Sequence, residues 1–265
     1  MTKNTKEYSY SKELRIAKKI ARRAGKIMLK YFDIDQEVEL KADKSVVTIA
    51  DKRINDMVIG ALVKKFPEDG IIGEEKSTSE YGLGRKWFCD PIDGTAGYTY
   101  GVPTSAFSLG LVVDGKPMLG VTYDPYLKRL YYGIRGKGSF CNGKKLRVSD
   151  AGISEGGCVG VTGGTKAVQK LTYITPLREL GARVACFSGA VSKCNLISRG
   201  RMIGYVEAGL NAHDVAASHV IVEEAGGMVT GMNGETLDYS KPFKGGIVTN
   251  GKIHAQLIEI VNRSN

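Results

Sequence analysis

Apolar residues recur every three or four positions between residues 11 and 32. Leu14, Ala17, Ile20, Ala21, Ala24, Ile27 and Met28 fall on one stripe and predict an amphipathic helix. The segment 38–51, VELKADKSVVTIAD, is instead extended and β-branched. It runs into a second helical pattern over 51–65, which Pro67 to Gly70 breaks. GIIGEEKS (70–77) predicts a short strand ending in acids. From residue 86 strand patterns dominate: KWFC, then SAFSLGLVV (105–113), an Asp114-Gly115 turn and KPMLGVTYD (116–124), a hairpin signal. Residues 129–149 add short strands separated by glycine turns.

Beyond residue 150 the rhythm becomes an alternation. Strands are predicted at GCVGVT, RVACFS, MIGYVEA, GMVTG and GGIVTN, and helices at 165–180, 190–199, 212–225 and 251–263. The class is therefore α/β of the mixed α+β kind, with helices and an antiparallel meander in residues 1–150 and alternating strand and helix in 151–265. No Pro-rich linker, low-complexity tract or internal repeat separates the two parts, so they are expected to pack as one unit.

Composition narrows this picture. A chain of 265 residues, 42% of them hydrophobic, can bury a substantial core and is not a disordered polymer. Its 34 glycines exceed the usual share and point to tight turns or close backbone approaches. The polar start MTKNTKEYSYSKELR lacks the apolar core of a signal peptide, and no run of about 18 apolar residues occurs, so a cytoplasmic protein off the membrane is expected. The five cysteines are scattered without a CxxC pair, which favours reduced thiols over a disulfide framework or a zinc site. Of the net charge of +10, much lies on the first helix at Lys18, Lys19, Arg22, Arg23, Lys26 and Lys30. A solvated helix face explains these without a nucleic-acid partner, and a basic surface also attracts small anions such as phosphate esters.

The candidate chemistry concentrates in WFCDPIDGTAGYTYG (87–101). A calcium-binding EF-hand loop needs oxygen ligands at alternate positions and a glutamate at position 12. Here the acids are three apart and the twelfth residue from Asp90 is Gly101, so that reading fails. A plain surface turn remains open, because Pro, Asp and Gly all favour turns. So does a metal site: a strand ending in WFC would deliver Asp90 and Asp93 close together, and two such carboxylates repel unless protonated or neutralised by a cation such as Mg²⁺ or Mn²⁺. Glu74 and Glu75 end a predicted strand, Asp51 sits at a strand-to-helix junction, and Asp214 stands near a helix start. Each has an ordinary reading as a cap or solvated acid, but together they offer one site several carboxylates from separate elements. Two decoys fail: GSFCNGKK (138–145) mimics a P-loop but lacks its final Ser or Thr, and the three histidines have no HExxH spacing.

At this point the residues carry a family resemblance. VVTIAD with Asp51, GEE at 73–75, DPIDGT at 90–95 and HDVAAS…EEAGG at 213–227 stand in the order and spacing of the inositol monophosphatase family of Mg²⁺-dependent, lithium-sensitive sugar phosphatases. The resemblance extends over nearly the whole chain and includes GVTYDPYLKRLYYGIRGKGSFCNGKKLRVS (120–149), similar to the family's central meander. It implies a layered α-β-α-β-α fold, a homodimer, and hydrolysis of a small phosphorylated polyol or sugar with two or three Mg²⁺ ions per site. It further implies Glu74, Asp90, the Ile92 carbonyl, Asp93 and Asp214 as metal ligands, Gly94 and Thr95 as phosphate binders, and Asp51 and Glu74 working with Thr95 on the nucleophilic water. Glu207 matches a glutamate that contacts substrate hydroxyls, beside Ser188, Gly189, Asp93 and Asp214. The resemblance points to inositol 1-monophosphate, with histidinol phosphate, fructose 1,6-bisphosphate or 3′-phosphoadenosine 5′-phosphate as sister-branch substrates and a non-catalytic RNA- or protein-binding member as the rival of another class. Three positions depart from the pattern: His213 replaces the usual Trp, Tyr98 the usual Phe, and Phe187 a glycine near the substrate.

Overall fold

The structure is a computed structural model that describes residues 9–34, 38–40, 46–161 and 171–263. The first stripe forms helix α1 (Ser11–Tyr31), whose Ala17, Ile20, Ala21, Ala24 and Met28 are buried. The extended segment gives strands β1 (Val38–Leu40) and β2 (Val46–Thr48), paired antiparallel. Helix α2 (Ile49–Lys65) starts two residues earlier than its apolar pattern implied, because Thr48 caps it. Thr48 Oγ1 accepts from the Asp51 N–H at 3.3 Å, and the Asp51 carboxylate accepts from the Thr48 N–H at 2.8 Å. This reciprocal capping box satisfies two otherwise orphaned donors and makes Asp51 the third residue of the helix.

A seven-stranded sheet follows, ordered β3 (Gly70–Gly73), β4 (Arg85–Asp93), β5 (Ala106–Val113), β6 (Lys116–Asp124), β7 (Arg129–Ile134), β8 (Ser139–Cys141) and β9 (Lys144–Lys145). Only the β3–β4 pair is parallel; the rest is the expected meander. A one-turn helix, α3 (Thr95–Thr99), follows β4. A second sheet is ordered β11 (Arg183–Cys186), β10 (Cys158–Val161), β12 (Gly204–Glu207), β14 (Gly246–Thr249) and β13 (Met228–Thr230). Its β10 pairs parallel with both neighbours, as strand–helix alternation implies, whereas β12–β14 and β13–β14 are antiparallel. The helix expected over 165–180 appears as α4 (Ile174–Glu179), and residues 162–170 lie outside the described residues.

Helices α5 (Ala190–Ser198) and α6 (Ala212–Glu223) lie between the two sheets, and α7 (His254–Arg263) joins α4 on the outer face of the second. Among the described residues, three larger apolar clusters hold these layers together, with a fourth small one of Tyr131, Leu146, Ile221 and Ala225. Ala21, Ile54 and Val121 join α1 and α2 to the first sheet. Phe88, Val215 and Tyr205 join the first sheet through α6 to the second. Val159, Leu177 and Leu257 close the far side. The chain thus has the layered α-β-α-β-α architecture.

One contact in this stack positions the site. A Cβ on Gly120 of β6 would lie 2.0 Å from the Ala217 carbonyl oxygen, and one on Gly110 of β5 2.7 Å from the Ala217 nitrogen. Two glycines and the small Ala216 and Ala217 therefore let α6 lie directly on the sheet. That close approach brings the first turn of α6, with Asp214, over the end of β4.

Candidate active site

KWFC was expected to end near Cys89, but β4 continues through the whole DPID segment, and residues 87–93 are all buried. Proline has no N–H for a sheet ladder and is tolerated in a strand interior only where pairing is interrupted. That interruption is present: Asp90 faces Ser108, Asp93 faces Ala106, and the register slips between them. The resulting bulge, with Pro91 inside it, re-aims the two carboxylates, as bulges near functional sites commonly do.

Asp90 is 1% exposed, and its Oδ1 is buried without a hydrogen-bond partner. Asp93 is gripped from across the molecule: Ala190 N donates to Oδ1 at 2.9 Å and Val191 N to Oδ2 at 2.8 Å, so the carboxylate caps the start of α5. Asp214 is the third residue of α6 and accepts from the Asn211 N–H at 2.6 Å, echoing Asp51 in α2. One oxygen from each of Asp90, Asp93 and Asp214 lies within 4.8 Å of the others. Burial pushes all three pKa values up; repulsion adds to the rise, for Asp90 from Glu74, Asp93 and Asp214 and for Asp93 from Asp214, whereas His213 and the Asn211 N–H oppose it at Asp214. An unsatisfied buried oxygen inside an all-oxygen cluster of three carboxyl groups fits a hard divalent cation, which would take the place of their protons.

Two further acids approach without joining the trio. Glu74 follows β3, and its N–H donates to the Cys89 carbonyl at 3.0 Å, which places it next to Asp90. Asp51 reaches the same region from α2: burial raises its pKa to about 7 against two hydrogen bonds from Thr48, with the charges of Glu74 and Glu75 adding to the rise. Thr95 Oγ1 lies 2.9 Å from the Ile92 carbonyl and 3.5 Å from Asp51 Oδ1, so its single proton has a near acceptor and a far one. Gly94, at φ 86°, turns the chain between Asp93 and Thr95, and a Cβ there would lie 2.9 Å from Gly189 N. Glycine is required on both counts.

A cavity of about 640 Å³ opens beside this cluster, lined by Asp93, Asp214, Ser188, Gly189, Lys193 and Glu207 among others. Ser188 Oγ donates to the Gly94 carbonyl and accepts from Gly97 N, each at 3.3 Å, tying the wall to the turn. Glu207 is oriented by Tyr205 Oη, which donates to Oε2 at 3.0 Å, and by Gly209 N, which donates to Oε1 at 3.1 Å. The cavity joins a three-carboxyl end that could hold a cation to an oriented hydrogen-bond acceptor, an arrangement suited, once that cation is bound, to a small molecule with an anionic head and a hydroxylated body.

Residues 9–265 match the profile of the inositol monophosphatase family. The chain belongs to that family. A Thermotoga maritima protein named fructose-1,6-bisphosphatase/inositol-1-monophosphatase is 34% identical over 247 residues, 92% of this chain and 93% of its own length. Human inositol monophosphatase 2 is 35% identical over 238 residues, 84% of this chain and 81% of its own. Among solved structures, the Thermotoga maritima IMPase superposes with a TM-score of 0.86 at 31% identity, covering 96% of this chain and 98% of its own. The family consists of metal-dependent phosphatases, so this chain is a hydrolase of phosphate monoesters.

Within the family frame, the departing residues acquire places. Tyr98 points away from the cavity: its hydroxyl donates to the Met28 carbonyl at 2.7 Å and its ring packs against Phe32. His213 stands beside the cluster, Nε2 3.3 Å from Asp214 Oδ1. Phe187 lines the cavity and covers Lys193, 4.6 Å from ring centroid to Nζ. Two elements of this phosphatase escape sequence reasoning. The Ala190 and Val191 amides that hold Asp93 are backbone groups and leave no residue signature. Lys193 leaves a faint one, a single cation between Val191 and Cys194 in a largely apolar stretch of α5.

Proposed function

We propose that the protein is a divalent-metal-dependent phosphomonoesterase acting on a small phosphorylated polyol or sugar, with inositol 1-monophosphate as first-choice substrate. The observation that carries this reading is the Asp90–Asp93–Asp214 cluster with its unpartnered Asp90 oxygen. Asp90, Asp93 and Asp214, with Glu74 and the Ile92 carbonyl beside them, would hold Mg²⁺, two or three ions per site, or Mn²⁺ in its place. Bound there, a divalent cation lowers the pKa of a coordinated water and offsets charge on phosphate oxygens.

This chain's own groups supply the rest. The Gly94 and Thr95 amides, at the start of α3, would hold phosphate oxygens. Thr95 Oγ1 would accept a hydrogen bond from the attacking water and take its proton as it attacks, while passing its own proton to Asp51 Oδ1. A carboxyl raised to about 7 can accept and release that proton near neutral pH, so Asp51 suits a general base. Glu207, already oriented, would accept from a hydroxyl on the alcohol part. Residues 1–150 would thus supply the reacting groups, and residues 151–265 the cavity wall and Asp214.

The relatives' names join inositol 1-phosphate with fructose 1,6-bisphosphate, so these two esters are tested side by side. Histidinol phosphate and 3′-phosphoadenosine 5′-phosphate complete the panel. Phosphate release from purified protein, read with malachite green in Mg²⁺, Mn²⁺ or EDTA and with or without Li⁺, should be metal-dependent and highest for one of these esters. No release from any ester would overturn the proposal.

A second reading draws on a groove between α1 and α2, lined by Lys12, Arg15, Lys19, Arg23, Lys64 and Lys65 and by no acid. Polyanion binding apart from catalysis would use this groove. Salt-dependent RNA binding that survives loss of phosphatase activity would favour it.

A further inference from the structure

Lys193 is the single basic residue among the described residues lining the catalytic cavity. It is 1% exposed, which is rare for a lysine and costly unless the charge is compensated. Its ammonium folds back over the start of its own helix, donating to the Phe187 carbonyl at 2.5 Å and the Gly189 carbonyl at 2.9 Å. The rings of Phe187 and Tyr205 flank it, with centroids 4.6 and 4.9 Å from Nζ. Among the described residues no carboxylate lies within ion-pair distance of Nζ, and its two hydrogen bonds go to neutral carbonyls. Carbonyl dipoles and ring faces offset that charge in part, and any full opposite charge acts through space.

The balancing charges are the acids of the site. Ala190 and Val191, whose amides grip Asp93, belong to the same helical turn as Lys193. Burial lowers the lysine's pKa, and the leading opposing influences are the charges of Asp93 and then Glu207. Asp93 in turn feels Lys193 as a stabilising charge against Asp214.

We propose that Lys193 is a built-in counter-cation of the carboxylate cluster, holding the site assembled while metal is absent and opposing the divalent cation when it binds. This rests on the metal reading above and adds a consequence that reading does not contain. A cation that offsets carboxylate repulsion in the empty site repels the dication in the filled one. Removing it should therefore destabilise the metal-free protein and tighten metal binding. A lysine that only braced the 187–189 backbone would act oppositely: its loss would loosen the grip on Asp93 and weaken binding.

The test is calorimetric titration of Mn²⁺ into the chelator-treated wild-type protein, Lys193→Met and Lys193→Gln, with thermal melts in EDTA and in saturating Mg²⁺. Methionine removes both charge and donor, while glutamine keeps an N–H donor without charge. Both variants should bind Mn²⁺ at least about fivefold more tightly than wild type, given the strength of charge interactions in a partly buried site. Both should show a larger metal-induced rise in Tm. Equal or weaker binding by both variants overturns the proposal. If a variant fails to fold in EDTA, recovery in saturating Mg²⁺ supports it, and failure to recover overturns it. Wild-type protein that binds no divalent cation overturns the metal reading itself, which separates the two failures.

Discussion

The tip of β4 and the wall facing it across the cavity are built in opposite ways. At the tip, seven consecutive residues are buried, a bulge sets the direction of two carboxylates, and other elements fix the neighbouring acids. Asp51 and Asp214 each occupy the third position of a helix, where accepting the N-cap N–H holds the side chain in place. The wall is made from the ends of β11 and β12 and the turn after β11. Cys186 is exposed, and Phe187, Ser188 and Glu207 are half-buried. The difference teaches that the groups proposed to react sit on buried backbone, whereas the groups that would meet the alcohol part sit on accessible backbone where side chains can change at little cost to the fold.

The comparison breaks most sharply at Asp93. Asp93→Asn should lower the metal-dependent rate by at least about a hundredfold, the scale for loss of one transition-state electrostatic group, with circular dichroism unchanged. A variant of wild-type rate would remove Asp93 from the chemistry. On the wall, Glu207→Gln should alter selection more than chemistry. KM for inositol 1-phosphate should rise about tenfold, in line with loss of a charged hydrogen-bond partner, while turnover of a small aryl phosphate changes little. Equal losses on both substrates would erase the distinction between tip and wall.

A smaller effect probes the sheet beneath. Gly120→Ala forces a methyl against the Ala217 carbonyl and should cost about 1–3 kcal/mol, read as a lower denaturation midpoint. An unchanged midpoint would mean that α6 is not seated by that contact. The smallest effect is on pH dependence. The pKa of Asp51 is raised from 3.8 to about 7, and those of Asp90, Asp93 and Asp214 are raised as well. A folded state that binds protons more tightly than the unfolded chain loses stability as pH rises from the unfolded pKa through the folded one. Metal-free protein should therefore lose stability across this window. Bound metal replaces the protons, so the Tm gap between Mg²⁺ and EDTA should widen from about pH 5 to about pH 8. A constant gap would mean that the acids are not the linked groups.

What the sequence reveals follows the same division. DPIDGT was legible because six adjacent residues carry the strand end, the bulge proline, two acids, the left-handed glycine and the hydroxyl. Asp51 and Asp214 were legible as caps from local context, and the structure places them at the site as well. The layered fold was readable from periodicity, although β4 was expected to stop before Pro91, because the tolerance for proline comes from a register slip with β5 that no local pattern encodes. The grip of α5 on Asp93 joins residues 97 positions apart through backbone amides, so neither composition nor spacing reveals it. The departure at Tyr98 has no local explanation either: its hydroxyl donates to the Met28 carbonyl, a long-range contact of the core.

The central claim is that the carboxylates at the tip of β4 hold a divalent cation on which phosphate release depends. Its most direct test is phosphate release from inositol 1-phosphate and fructose 1,6-bisphosphate during stepwise Mg²⁺ addition to chelator-treated wild-type protein and Asp90→Asn. The account predicts no turnover in EDTA, saturable recovery by the wild type on at least one ester, and almost none by the variant. Full turnover in EDTA, or equal recovery by Asp90→Asn, would contradict it.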